Sequence, residues 1–486
     1  MSTNHLKSIL KMAILIVIAI SFNRCLLAQT YFPLGIWNYD VTGPEYRVWY
    51  PNEMNLIRNI NATYLAQMSP QAQEGMIDSC TTRFAGAVRT ELVHDTTGGF
   101  YPIPGEPTNP TFWRYISDNP NVANIDSDSV RLFIERVASC YDYVNDPGLG
   151  AIRVAHQGAM DQADHWPYIQ YACSLICVNP NFGRYVQSVA VHNVFHWNGG
   201  DTTSLENFFR QVDSLDVYQH EYYPFYVSNQ TGYPYTRAAY FGNAFQTNII
   251  DQRLLASYDQ TQRALDRSDN EHTTLEIIIQ THSQFTTDQN TYFRRPTEAE
   301  IWLQAFLALS RGYKGVHTYV YRTNPWTGQM AYFDSGLVAV TTPPTARTAI
   351  SPYYDQVAQL YDHLAELGDD ILPLTTQEYF TWTGSAHSYV TDIIDDVDDG
   401  GHGTIEISLM DHPSNSYDYF LLVNRRCSSD NNGTPAPAQT ITVRTNKSGQ
   451  YQIKDLYSNE LFVSSDGYFR NITIGPGRGR VFELRP

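Results

Sequence analysis

A closed parallel barrel of eight βα units followed by a small antiparallel β-sandwich is the fold class that this 486-residue sequence predicts, and three observations predict it. Apolar strand-like segments alternate with helical ones eight times over roughly 300 residues, the pattern of a closed parallel barrel. From Tyr379 onward the hydrophobic period changes to two, with turn residues between short segments, as in a sandwich of about 110 residues. The first strand, FPLGIWNYD, leads into no glycine-rich phosphate loop of the kind a doubly wound open sheet carries. The expected organisation is a signal peptide over residues 1–28, a barrel over 29–374 and a sandwich over 375–486.

The chain begins with Lys7 and Lys11, an apolar run over residues 12–20 and then Ala28. That is the plan of a secretory signal peptide, and the run is too short to span a bilayer comfortably. Cys25 follows Arg24, where a lipidation signal needs a small residue. Strand one, residues 32–40, ends on Asn38, Tyr39 and Asp40. A helix over 53–59 leads to ATYLAQM (62–68), and a helix over 71–83 leads to GAVRTEL (86–92). Residues 94–125 are rich in Gly, Pro and Asn and read as a long loop over one barrel face. A helix over 126–144 places Val130, Phe133, Ile134, Val137 and Tyr141 at helical spacing behind an Asp126 or Ser127 cap.

Strand four is GAIRVAHQG (150–158), and strand five is YVQSVAVHN (185–193). Strand six lies within VDSLDVYQHEYYPF (212–225), and strand seven is TLEIIIQTHS (274–283). Pro296 and the acids Glu298 and Glu300 start the next helix, and Arg311-Gly312 ends it with the expected cation and glycine. Strand eight is GVHTYVYRT (315–323), and a helix over 353–367 closes the barrel. In the sandwich, the acidic stretch 392–401 is expected to be a solvated turn, with calcium coordination as the alternative reading.

Signal cleavage would remove three cations and no acid, changing the formal charge from −18 to −21. So acidic a surface repels nucleic acid and anionic lipid and favours neutral or cationic partners. The 35 Tyr, 22 Phe and 8 Trp serve a large core or supply flat platforms for sugars. Five cysteines would remain, Cys80, Cys140, Cys173, Cys177 and Cys427, an odd number that forbids complete pairing. Cys173 and Cys177 sit four apart on one helix, poor geometry for a disulfide, so most are expected to be buried thiols. The cysteines carry no strong metal signature, and no cofactor is expected.

Polar residues at the C-terminal ends of barrel strands are usually placed for ligands, which makes Glu221, at the end of strand six, the first candidate for chemistry. The chain resembles secreted bacterial glycoside hydrolases with a barrel and a C-terminal sandwich. The resemblance rests on FPLGIW, EYYPF, PTEAEIWLQAFLALSRGYKGVHTYVY, and the ending from YFLLVNRR through GQYQIKDLYSNE to ITIGPGRGRVFEL. It implies a carbohydrate partner and a second carboxylate on strand four or seven. Here strand four runs into AHQGAM, and strand seven ends Gln280-Thr281-His282 where related glycosidases of another clan place a nucleophilic Glu.

The catalytic candidates are therefore Glu221 with Asp161, just beyond strand four, and Glu91, at the end of strand three. Asp40 and Asp164 are further acids near strand ends. Retaining enzymes hold two carboxyl groups about 5–5.5 Å apart, inverting ones about 6.5–9.5 Å. Expected substrate contacts are Trp37, Asp40, His156, Gln157, His192, His220, Tyr222, Tyr223, His282, Tyr319 and Tyr321, since sugars meet rings with their C–H faces and polar groups with their hydroxyls. Arg153 and Arg322 stay unassigned between a charged substituent and an acid partner. Three function classes follow: a secreted glycoside hydrolase, a non-catalytic carbohydrate-binding protein, and a hydrolase with a metal held by His156, His192, His220 and His282.

Overall fold

The computed structural model describes residues 32–37, 50, 52–66, 89–92, 127–128, 130–131, 134–135, 149–155, 160, 163–179, 187–193, 202–227, 246–286, 292–325, 332–382, 394–398, 404–430, 433–447 and 449–486. Its parallel strands are β1 (Leu34–Trp37), β2 (Tyr64–Ala66), β3 (Arg89–Leu92), β4 (Leu149–Ala155), β5 (Gln187–Asn193), β6 (Val217–Glu221), β7 (Thr274–Gln280) and β8 (Val316–Tyr319). They close into a barrel in the order β1-β8-β7-β6-β5-β4-β3-β2. The expected signal peptide, the helix expected over 71–83 and the long loop expected over 94–125 lie outside the described residues. Within the stretch 126–144 the described residues are helical, and Val130 and Ile134, one turn apart, are buried. Among the described residues no helix is long and apolar enough to cross a membrane.

The chain divides into two compact units. The first contains the described residues within 64–219 and 263–274. Parallel register there pairs Tyr64 with Arg89, Glu91 with Ala151, and Ile152 with Ser188. The helix-facing side of β5 is fixed by Ser188, whose hydroxyl and backbone N–H both donate to the Asp216 carboxylate, at 2.9 and 2.7 Å. Of the helices α1 (Glu53–Asn59), α2 (Trp166–Val178) and α3 (Thr202–Gln211), α2 starts with Trp166, whose indole N–H donates to the Met160 carbonyl at 2.9 Å. Cys173 on α2 is a free thiol, pushed up in pKa by burial. Cys177 is disulfide-bonded, to a cysteine other than the free thiols Cys173 and Cys427, so it departs from the expected buried thiols.

The second unit contains residues 31–63, 220–262 and 275–486. In its barrel strands Gly35 pairs with His317 and His317 with Ile278. The glycine of FPLGIW has a specific cause: a Cβ at residue 35 would stand 1.7 Å from His317 Nδ1. The imidazole occupies that space because its Nε2 meets the Glu276 carboxylate at 2.6 Å, both side chains being buried. Helix α5 (Glu298–Leu309) opens with a capping box, Thr297 accepting from the Glu300 N–H and the Glu300 carboxylate accepting from the Thr297 N–H. Helix α6 (Tyr353–Ile371) runs four residues beyond the expected end.

The sandwich has a six-stranded and a three-stranded sheet. The larger follows the order β9-β11-β12-β17-β14-β15 and the smaller β10-β13-β16. Here β9 is Thr375–Trp382, β10 Ile394–Asp398, β11 Ile405–Asp411, β12 Asp418–Asn424, β13 Gln439–Thr445, β14 Tyr451–Asp455, β15 Leu461–Ser464, β16 Tyr468–Ile474 and β17 Gly479–Arg485. Ile407, Phe420, Leu422, Phe482, Ile441, Val443 and Phe469 interleave in a core drawn from both sheets. The acidic stretch 392–401 contains the strand β10, so the expected solvated turn is corrected; its acids lie on a sheet edge, where charge discourages further pairing.

The simple alternation expected of the sandwich fails at β11 and β12, which are buried on both faces. The face of β11 away from the sandwich core carries Glu406 and Ser408, and the barrel helices of this unit cover it. Arg311, at the end of α5, donates to Glu406 at 2.5 Å and to Asp259 at 2.8 Å, and Arg425 approaches Glu406 at 3.5 Å. Thr381 donates to the same carboxylate at 2.8 Å. Gly477 takes a left-handed φ of +69°, and a Cβ there would fall 1.8 Å from the Ala299 carbonyl oxygen, so the GPGRGR turn lets the sandwich backbone meet α5 directly. Glu406→Ala leaves two buried guanidinium groups without their shared carboxylate, and a loss of about 3–5 kcal/mol in urea-unfolding free energy is expected. Unchanged stability would deny this ion cluster its role in holding the sandwich to α5.

Candidate functional site

The end of β6 sorts its side chains by strand parity. Tyr218 and His220 point to the helix layer: Tyr218 packs edge-on against Phe209 at 4.9 Å, and His220 Nδ1 and Nε2 meet the hydroxyls of Tyr313 and Ser257 at 2.7 and 3.0 Å. Ser257 belongs to helix α4 (Leu255–Arg267). Successive residues of a strand alternate faces, so Gln219 and Glu221 take the barrel side. Over residues 217–225 every residue is buried except Glu221, which is half-buried.

Beyond Glu221 the chain builds an aromatic wall over the ends of β1, β7 and β8. Tyr223 stacks on Tyr319 with centroids 5.1 Å apart, and His282 stands edge-on to both, at 5.0 Å from Tyr223 and 4.8 Å from Tyr319. Phe293 closes the cluster at 5.6 Å from His282, and Trp37 reaches Tyr319 at 6.4 Å. His282 Nδ1 lies 3.1 Å from the Tyr319 carbonyl, which can only accept, so Nδ1 carries the proton. Nε2 is then an acceptor, buried and without a hydrogen-bond partner among the described residues. Burial, the dominant cause, lowers the imidazole pKa to about 3, and the ring is neutral at physiological pH.

Gln280 fixes this wall. Its side-chain oxygen accepts from the Phe225 N–H at 3.0 Å, and its NH₂ group donates to the Arg294 and His282 carbonyls at 2.9 and 3.3 Å. Gln304 of α5 in turn holds the Gln280 backbone, accepting from its N–H at 2.9 Å and donating to its carbonyl at 3.1 Å. The position where the resemblance implies a nucleophile is thus a neutral amide tying three backbone segments together. Sequence reasoning missed this role, and it missed Glu276 and His317. A lone acid inside the apolar run TLEIIIQ was the available signal, because a buried carboxylate requires a partner.

The other expected residues separate. Trp37, Tyr223, His282 and Tyr319 gather in the second unit at the ends of their strands, whereas His220 is turned to the helices and Tyr222 lies near Tyr258 of α4. His192, in the first unit, is turned the same way, its Nδ1 2.9 Å from the Tyr218 hydroxyl. Tyr321 is buried beside Glu53, and burial first, then that carboxylate, pushes its phenol well above the usual range. Arg322, left unassigned from sequence, donates to Glu53 at 2.7 Å with both groups fully buried. Glu91 belongs to β3, while Asp40, His156, Gln157 and Asp161 lie outside the described residues. Among the described residues no three His, Cys, Asp or Glu groups stand together as a metal site would require.

Comparison with solved structures identifies the architecture. A β-galactosidase from Bacillus circulans sp. alkalophilus aligns over 95% of this chain and 100% of its own at 7% identity, with a TM-score of 0.51. The chain has a glycosidase-like fold. A catalytic mutant of a β-galactosidase from G. stearothermophilus covers 94% of this chain and 100% of its own, at 9% identity and a TM-score of 0.48. An Anoxybacillus α-amylase covers 90% and 89% at 12% identity and a TM-score of 0.44. No protein-family model and no curated protein matches the sequence.

The neutral His282 gives an acid-stability test. Its folded-state pKa of about 3 is below the unfolded value of about 6.5, so between those pH values the unfolded chain binds the extra proton and stability rises with pH. On acidification from pH 6 to pH 4, His282→Gln is expected to lose stability less steeply than the wild type, by about 1.4 kcal/mol per pH unit. Urea-unfolding midpoints measured across this range check it, and parallel slopes would count against a buried neutral imidazole.

Proposed function

We propose that the chain is a secreted glycoside hydrolase acting on an oligo- or polysaccharide, with Glu221 as acid/base or nucleophile beside the aromatic wall. The observation that carries this reading is the exposure pattern of residues 217–225: the strand and its following turn are buried apart from one carboxylate, Glu221. Two residues later Tyr223 joins a wall of rings, the kind of surface on which sugar C–H faces rest. Binding to the wall would orient a sugar. The glycosidase-like fold supports a carbohydrate ligand, and the N-terminal segment supports export.

Hydrolysis of a glycosidic bond needs two carboxyl groups, one to protonate the leaving oxygen and one to attack the sugar or activate water. Asp161, Glu91 and Asp40 are the proposed partners for Glu221, each tested by its amide variant. A second reading, a carbohydrate-binding protein without turnover, is favoured by one observation: Gln280 occupies the end of β7 and spends its side chain on backbone groups. Glu221→Gln is expected to lower kcat by about 10²–10⁴-fold while the fold is retained, as removal of a general acid/base does. Reducing-sugar release from arabinan, galactan, starch and xylan checks this. Equal rates for the two proteins would remove Glu221 from the chemistry, and retained binding without turnover in the wild type would establish the second reading.

A further inference from the structure

A cavity of about 270 Å³ lies where helix α6 meets the sandwich strands β14, β16 and β17, all within the second unit. Tyr457 and Ser458, in the turn after β14, stand on one side and His363 of α6 on the other. The rings of Tyr457 and His363 lie 3.7 Å apart at 36°, and Tyr457 still exposes 40% of its surface. The buried His363 Nε2 has no hydrogen-bond partner among the described residues. Burial, reinforced by Arg478, lowers its pKa to about 4, so it offers a neutral ring at physiological pH.

The charges around this cavity are already matched to one another. Arg480 is held by Asp455 and Glu460, both at 2.6 Å, and Arg478 by Glu298 at 2.8 Å. Arg478 also lies over Trp302, its guanidinium carbon 3.7 Å from the ring centroid. An ionic ligand would have to break one of these pairs, while a neutral polyhydroxylated one would not. Such a ligand could lay a C–H face on the Tyr457 ring and direct hydroxyls to His363 Nε2, Ser458 and the carboxylate oxygens. The volume is just below the roughly 300 Å³ at which drug-sized pockets begin, room for a sugar ring and not for a long chain segment.

We infer that this cavity is a second saccharide site, on the sandwich face, that holds one neutral sugar unit of a glycan against Tyr457. It goes beyond the barrel reading and uses none of the residues of the aromatic wall. Affinity electrophoresis of the full chain in gels containing arabinan, galactan, starch, xylan or the uronate polymer pectate tests it. At least one neutral polysaccharide is expected to retard the wild type. Tyr457→Ala should weaken that retardation by about five- to tenfold, as loss of one aromatic platform does. Tyr457→Phe, which keeps the ring, should retain it, and unchanged thermal unfolding of both variants excludes misfolding. Tyr319→Ala serves as the barrel control.

Loss in Tyr457→Ala with retention in Tyr319→Ala establishes the sandwich site even where the barrel reading fails. Loss confined to Tyr319→Ala overturns the sandwich site and leaves the barrel reading standing. Absence of retardation by every neutral polymer, or retardation by pectate alone, overturns the proposal as well.

Discussion

An amide can accept and donate at once, and the Gln280 side chain uses both abilities to determine where the segment after β6 lies. With the Phe225 N–H on one side and the carbonyls of His282 and Arg294 on the other, it joins three stretches that meet at the rim of the barrel. Tyr223, His282 and Phe293 hang from those stretches, so their mutual distances follow from this clamp. An ionised carboxylate in its place would present only acceptors to two carbonyls. The end of β7 is therefore built as an anchor, and a glutamate could enter it only with a rearranged rim.

The same logic of satisfied burial recurs through the second unit. Glu276 pairs with His317 inside the barrel, Glu53 with Arg322 beneath the rim, and Glu406 with Arg311 against the sandwich. Removing charges from water costs several kcal/mol per ion, and such pairs often add little net stability over apolar packing. What they impose is geometry, because a carboxylate left without its cation is far worse than either complete alternative. Gly35 records one such constraint in sequence: the space its side chain would fill belongs to the ring that Glu276 holds.

Much of the fold was legible because its period is simple. Eight apolar strands separated by helices gave the barrel, and Pro296 with the acids Glu298 and Glu300 marked the start of α5. Side-chain direction was not legible where both faces of a strand are buried. In DVYQHEYYPF the apolar and polar residues follow no strict alternation, so a one-residue difference in register decides whether His220 or Glu221 faces the barrel. Tyr313 and Ser257 settle it by taking both imidazole nitrogens of His220, and neither partner is near it in sequence. β11 escaped an alternating reading for a related reason, since one face meets the sandwich core and the other an arginine from α5. Arg311 read as a helix-end cation and is in fact the buried partner of Glu406.

Placing the candidate carboxylate on a strand, and not on a loop, has a functional consequence. His220 and Tyr218 pin the outer face of β6, and Tyr222, Tyr223 and Phe225 are buried immediately after it, so Glu221 has little backbone freedom with which to seek a ligand. Sites held by rigid elements position a reacting group more accurately than sites on mobile segments, and they lose less entropy when occupied. In the proposed reading the rings of Tyr223 and Tyr319 supply flat apolar contact and Glu221 a carboxyl group. That combination favours an uncharged, hydroxyl-bearing ring over an anion, because a phosphate or sulfate brought to the rim would meet Glu221 with like charge.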